Sequence, residues 1–150
     1  MSPLPVGATA PAIPGVMFGE GPVGLFFYKV TCPTCQMAAP KAGGFERAYP
    51  GRVLGIGQDP PEALERFTRE YELGVRSLPD LPPYKVSDAY GIVSVPTLFL
   101  VGTDGTVLES VGAWDRDGFN RVSHRLAELT GADPVVISEP GDGLPVFQPG

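Results

Sequence analysis

Cys32 and Cys35 are the only two cysteines of the 150-residue chain, and only Pro33 and Thr34 separate them. Such a pair suits thiol-disulfide exchange, half of a metal site, or no chemistry at all if both thiols are buried and inert. A closed structural zinc site takes four thiolate or imidazole ligands. The single histidine, His124, leaves carboxylates to complete any such set. No metal and no other cofactor is therefore expected. His124 lies off the apolar face of its helix and should point to solvent.

The residues around the pair give its two sulfurs different settings. A short apolar run, Val23 to Val30, precedes it, and a helical pattern follows from Pro33 to Tyr49. Unpaired N–H groups and the positive end of the helix dipole stabilise a thiolate at Cys32. Cys35 falls one turn further in, on the face that carries Ala38, Ala42, Phe45 and Tyr49, and should be buried. Cys32 is then the expected nucleophile and Cys35 the resolving thiol, which closes a Cys32–Cys35 disulfide as the partner leaves reduced. Pro33 suits the first helical position, and with Thr34 it favours an exposed loop at the helix start. Lys29 could lower a neighbouring thiol pKa, although a lysine at a strand end is more often simply solvated.

The elements that must position this pair follow in order. Arg52 to Gly57 reads as a second apolar strand, and Pro60-Pro61 opens a helix with Leu64, Phe67 and Tyr71 on one face. Residues 74 to 85 carry three prolines and read as loop with a short edge strand, followed by helical turns over Val86 to Tyr90. Thr97 to Gly102 and Thr106 to Val111 form an antiparallel hairpin through Thr103-Asp104-Gly105, since Asp-Gly takes the positive φ of tight turns. Asp115 can cap a last helix with Phe119, Val122, Leu126 and Leu129 on one face, and Gly131 stops it. The reading ββαβα-loop-α-ββα is that of an α/β domain, a central mixed sheet flanked by helices on both faces. One domain spans 1–131, its residues 1–20 an extended opening segment, and 132–150 form a Pro/Gly-rich tail too interrupted for a regular element. Val135, Val136, Ile137 and Phe147 favour partial docking of that tail on the body. Trp114 reads as a packing or rim aromatic.

Composition narrows the partners. A net charge of −6 disfavours binding to phosphate backbones, which depends on clustered Lys and Arg. No apolar run approaches the length of a membrane span. The first basic residue is Lys29, so no secretory n-region is visible and a cytoplasmic location is expected. Cytosolic reductants make structural disulfides rare, which again favours a redox role for the pair.

The stretch CPTCQMAAP, with a helix proline five positions after Cys35, resembles the active-site helix of the thioredoxin superfamily. Val95-Pro96-Thr97 before the hairpin resembles that family's cis-proline loop, and DAYGIVSVPTLFLVGTDGTVLESVGAW is similar to its last helix-strand-hairpin unit. GATAPAIPG and GIGQDPPEALERF place the likeness in the TlpA-like and AhpC/TSA (peroxiredoxin-like) branch. The resemblance covers about residues 6 to 130. It implies a thioredoxin-like fold, a monomeric thiol-disulfide oxidoreductase serving cell redox homeostasis, disulfide-bearing protein substrates and an upstream thiol reductant. It also implies a cis Pro96 that turns Val95 toward the cysteines as a strand-like edge for substrate. Val95, Pro96, Thr97, Pro33 and Thr34 are the substrate contacts expected on this basis.

The chain departs from that pattern in two places. Thr31 stands where many thioredoxins carry Trp, and Phe26 where they carry a buried acid that takes the resolving thiol's proton. Asp59, Asp80 and Glu20 could replace the acid only if the fold brings them close. Two other functions compete. A peroxiredoxin-like peroxidase, with antioxidant activity, would want a proline and a Thr or Ser spaced at three-residue intervals before its cysteine, but position 28 is Tyr and Thr31 adjoins Cys32. A non-catalytic binding module would use the fold only as a scaffold.

Overall fold

The computed structural model describes residues 2–150. Strand β1 (Val23–Tyr28) is buried along its whole length. Its alternate residues serve opposite faces of the sheet: Phe26 and Tyr28 enter one core, Leu25 and Phe27 the other. A strand buried on both faces reads as a continuous apolar run, which is why no alternation shows in the sequence. β1 stops at Tyr28, two residues short of the apolar run, because Lys29 to Thr31 turn and the Lys29 carbonyl accepts the Cys32 N–H at 3.1 Å.

Helix α1 (Pro33–Ala48) follows and continues through Pro40. Next come β2 (Val53–Gly57), α2 (Pro61–Glu70), the short β3 (Ser77–Pro79) and α3 (Lys85–Ala89). The hairpin is β4 (Thr97–Val101) and β5 (Val107–Gly112), then β6 (Trp114–Asp115) and α4 (Arg116–Thr130). Asp115 caps α4 through the Gly118 N–H at 3.1 Å, and Gly131 ends it with φ 76°. The sheet has five strands in the order β3-β2-β1-β4-β5. β1, β2 and β3 are parallel, while β4 runs antiparallel to both β1 and β5.

Helices lie on both faces, but unequally. α1, α2 and α4 pack on the face of Phe26, Tyr28, Leu98 and Leu100. The other face is covered by α3 and by the opening segment through Ala10, Ile13 and their neighbours. That segment is held by backbone bonds to the hairpin: Gly7 N–H to Val107 O at 2.8 Å, Val107 N–H to Ala8 O at 2.9 Å and Ala10 N–H to Gly105 O at 2.8 Å. It contributes one bridge, Thr9 with Thr106, and not a strand. A single strand thus precedes α1, where the sequence suggested two.

Two local features hold α1 in place. Gly43 is required because a Cβ there would lie 2.5 Å from both the Glu72 and Leu73 carbonyl oxygens, where the chain leaving α2 crosses α1. Tyr49, at the helix end, shares a 2.8 Å hydroxyl bond with Ser123 of α4.

The tail contains one regular element after all. β7 (Phe147–Gln148) pairs antiparallel with β6. Polar anchors bring it there more than the apolar residues named above. Ile137 is buried, while Val135, Val136 and Phe147 stay exposed. Buried Arg116 donates to Ser138 Oγ at 3.0 Å, to Asp142 Oδ1 at 3.1 Å and to the Leu144 carbonyl at 2.8 Å. Asn120 accepts from the Ile137 and Ser138 N–H groups, and Lys41 of α1 reaches Asp142 at 3.0 Å. These bonds need no hydrophobic periodicity, so no sequence pattern announces them.

Candidate dithiol site

Cys32 is the N-cap of α1, with extended backbone (φ −83°, ψ 115°), and Pro33 occupies the first turn. The Cys35 N–H, one of the helix's unpaired donors, points at Cys32 Sγ at 3.1 Å. On its other side Cys32 Sγ donates to the Val95 carbonyl at 3.5 Å. Cys32 is half-buried and Cys35 fully buried. Burial, reinforced by its bond to Cys32, pushes the Cys35 thiol well above the ordinary cysteine range, and the Lys29 backbone opposes this only in part.

The proline loop stands opposite. Val95–Pro96 is cis, and so is Pro82–Pro83 in the loop before α3. Val95 is partly buried, with its carbonyl against Cys32, and Pro33 is exposed in the first turn of α1. Thr97 is turned inward: it is 1% exposed and its hydroxyl donates to the Ser94 carbonyl at 3.0 Å. Its side chain braces the loop and presents no surface to a substrate. Thr34 is likewise not exposed, contrary to the sequence expectation, because its hydroxyl donates to the Pro149 carbonyl at 2.8 Å and the tail covers it.

The three candidate acids separate. Asp59 accepts the Val30 N–H at 2.9 Å, while Gln36 Nε2 donates to the Val30 carbonyl at 2.9 Å, so two side chains pin the turn that leads into Cys32. Asp80 is buried and committed to the N–H groups of Val86 and Ser87 at the start of α3. Glu20 is exposed in a turn before β1, at the strand end away from the cysteines. Lys29 is exposed, as is His124. Phe26 fills the place of the missing acid with apolar packing, its ring 5.6 Å from Tyr28 and 6.4 Å from Phe119.

Tyr28 was not anticipated as a neighbour of the site. Burial pushes its phenol up to about 12, with the charges of Asp59 and Cys35 adding to the effect and its bond to Ser77 opposing it. Period-two spacing from Phe26 could have placed it on the α1 face. Among the described residues no group of three or more His, Cys, Asp or Glu side chains could hold a metal. Nor, among the described residues, is any helix long and apolar enough to cross a membrane.

Sheet, kinked-in proline loop and helix-capping cysteine together define a thioredoxin-fold protein with a dithiol centre. The AhpC/TSA family model matches residues 17–110, and the chain belongs to that family. A search of curated proteins finds no match. Among solved structures, the chain is similar to Mycobacterium tuberculosis DsbF, with 28% identity and TM-score 0.60 over 70% of this chain and 80% of that one. It is also similar to a secreted Mycobacterium tuberculosis disulfide oxidoreductase homologous to E. coli DsbE, with 26% identity and TM-score 0.61 over 75% and 84%. The thioredoxin domain of a thiol-disulfide oxidoreductase from Bacteroides vulgatus shares the fold at 21% identity, TM-score 0.69, over 82% and 99%.

Proposed function

We propose that the chain is a thiol-disulfide oxidoreductase acting on protein disulfides through Cys32 and Cys35. The observation that carries this reading is the unequal pair: a half-exposed sulfur at a helix N-cap, bonded by the N–H of a buried cysteine one turn inside. The Cys32 thiolate attacks one sulfur of a substrate disulfide, and the other substrate sulfur leaves as a thiolate and takes up a proton. Cys35, once deprotonated, attacks Cys32 Sγ and releases the second substrate sulfur. Two electrons pass to the substrate, and the protein is left with a Cys32–Cys35 disulfide that a thiol reductant must reopen.

Peroxidase chemistry is not favoured. The buried arginine, Arg116, spends its Nε and Nη2 donors on Ser138, Asp142 and the Leu144 carbonyl, in the anchor of the tail. One M. tuberculosis relative is a secreted disulfide oxidoreductase and the other, DsbF, is found in mixed oxidised and reduced forms, which supports the exchange reading.

The test is to equilibrate the protein in glutathione buffers and quantify free thiols. A couple near about −270 mV marks a reductant and one near about −120 mV an oxidant. Insulin reduction should vanish in Cys32→Ser, while Cys35→Ser should accumulate a mixed disulfide with substrate. A pair that never oxidises would overturn the proposal.

A further inference from the structure

The space beside the dithiol is filled by the chain's own residues 145–150. Trp114 Nε1 donates to the Pro145 carbonyl at 2.8 Å and the Arg116 N–H to the Val146 carbonyl at 2.9 Å. Phe147 and Gln148 pair with Asp115 and Trp114. Thr34 Oγ1 donates to the Pro149 carbonyl at 2.8 Å, and Gly150 lies so close to Val95 that a Cβ on it would collide with the Val95 carbonyl. The segment thus runs from β6, over the first turn of α1, to the proline loop, and it touches both walls that flank Cys32.

How this segment is held indicates what else would fit. Its large side chains face solvent, with Val146 57% and Phe147 55% exposed, so backbone hydrogen bonds provide most of the attachment. A site that grips main chain and ignores side chains accepts extended polypeptide of many sequences. The anchor upstream is separate: Ser138, Asp142 and Leu144 stay tied to Arg116, and Asp142 to Lys41. Residues 145–150 can therefore lift away while the chain just before them stays fixed.

We infer that Thr34, Val95 and the Trp114–Asp115 edge form a binding groove for an extended disulfide-bearing polypeptide, and that residues 145–150 occupy it as an intramolecular competitor. This rests on the oxidoreductase reading for the nature of the substrate, but not for the existence of the groove. A polypeptide must displace the tail, whereas a small disulfide that needs only Cys32 need not. A tail docked about nine-tenths of the time weakens apparent peptide affinity about tenfold. The tethered segment competes at an effective concentration on the order of millimolar.

Two variants test this: a stop after Leu144, and Gly150→Val in the full chain, which forces the segment off Val95 while leaving the anchor intact. Both should raise kcat/KM for insulin about five- to tenfold and leave that for hydroxyethyl disulfide within about twofold. A synthetic peptide of residues 144–150 added to the truncated protein should restore the slower insulin rate. Trp114 is the only tryptophan, so its emission reads tail docking without any turnover. Losing the Pro145 bond should shift the emission to the red, and the added peptide should reverse the shift. Unchanged insulin rates in a folded Gly150→Val protein, or truncated protein whose emission ignores the peptide, would overturn the inference. If emission responds but neither disulfide is reduced, the groove stands and the oxidoreductase reading falls.

Discussion

The Cys35 amide hydrogen points at Cys32 Sγ, 3.1 Å away, so the backbone of the first helical turn links the two sulfurs while burial keeps them chemically unlike. Desolvation favours a proton on the inner sulfur, while the outer one stays half-exposed and open to a partner. One thiol is thereby suited to attack and the other is held in reserve until a mixed disulfide forms.

That asymmetry has a stability signature. Cys35 holds its proton in the folded reduced state to higher pH than in the unfolded chain, where a cysteine ionises near about 8.5. The unfolded state then binds fewer protons, so stability is full below that pH and falls as pH rises through it. One such group gives a slope of at most about 1.4 kcal/mol per pH unit. Tyr28, at about 12 against 10.0, adds a second loss beginning near its unfolded value. Urea unfolding of the reduced protein across this range should show the decline, and Cys35→Ala should remove its first part. A flat wild-type profile would show that the thiol is not held protonated.

Asp59 raises the pKa of Cys35 by its charge, a smaller influence than burial. Asp59→Asn keeps an oxygen to accept the Val30 N–H but removes that charge. Resolution of the mixed disulfide should therefore shift to lower pH, by less than about one unit, with little loss of stability. Stopped-flow pH profiles of a single turnover would show this. A tenfold slower step with an unmoved profile would instead make Asp59 the proton acceptor.

Gly43 admits no side chain, because the atoms 2.5 Å from a Cβ are backbone carbonyls of Glu72 and Leu73. Gly43→Ala should cost about 1–3 kcal/mol by overpacking, and lower Tm by about 2–4 °C for each kcal/mol. Calorimetry would check it, and a melting temperature equal to wild type would mean that the α2 exit shifts freely.

Arg116 joins α4 to the tail through Ser138, Asp142 and the Leu144 carbonyl. Its neighbours hold the Asp142 carboxylate well below the usual range, chiefly through the Ser138 hydroxyl and the Leu144 N–H. The anchor is therefore complete above the ordinary carboxylate pKa and is lost only as pH falls toward strong acid. Arg116→Met should free residues 138–150 at neutral pH and raise cleavage there by a nonspecific protease about tenfold or more, with α4 intact. Mass spectrometry of the fragments would locate the cuts, and cleavage at the wild-type rate would refute the role given to Arg116.

What the sequence disclosed depended on periodicity and on turn chemistry. The run from Leu25 to Tyr28, the face of Cys35, Ala38 and Ala42, the Asp104-Gly105 turn and the Asp115 cap all obey local rules and lie where those rules put them, although β1 ends before Val30 and the opening segment forms a bridge in place of a strand. The cysteine pair stood out for the same reason, its two sulfurs falling in one helical turn. Hidden from the sequence were contacts made across long separations by polar atoms. Thr34 meeting Pro149, Asp59 meeting Val30 and Arg116 meeting Asp142 follow no period. The opening segment was legible as extended, but its packing on the sheet follows from the hairpin bonds to Ala8 and Val107, which no local pattern encodes.

The margins of the sheet bear on how the proposed groove would meet extended polypeptide. β3 ends in Pro79, which has no N–H to offer a neighbouring ladder, and the opening segment bonds to Val107 where β5 begins. Unguarded sheet edges recruit stray strands and seed fibres. If the proposed groove beside Cys32 takes extended chains, such guarded flanks would let the protein hold a polypeptide without becoming the template on which that polypeptide aggregates.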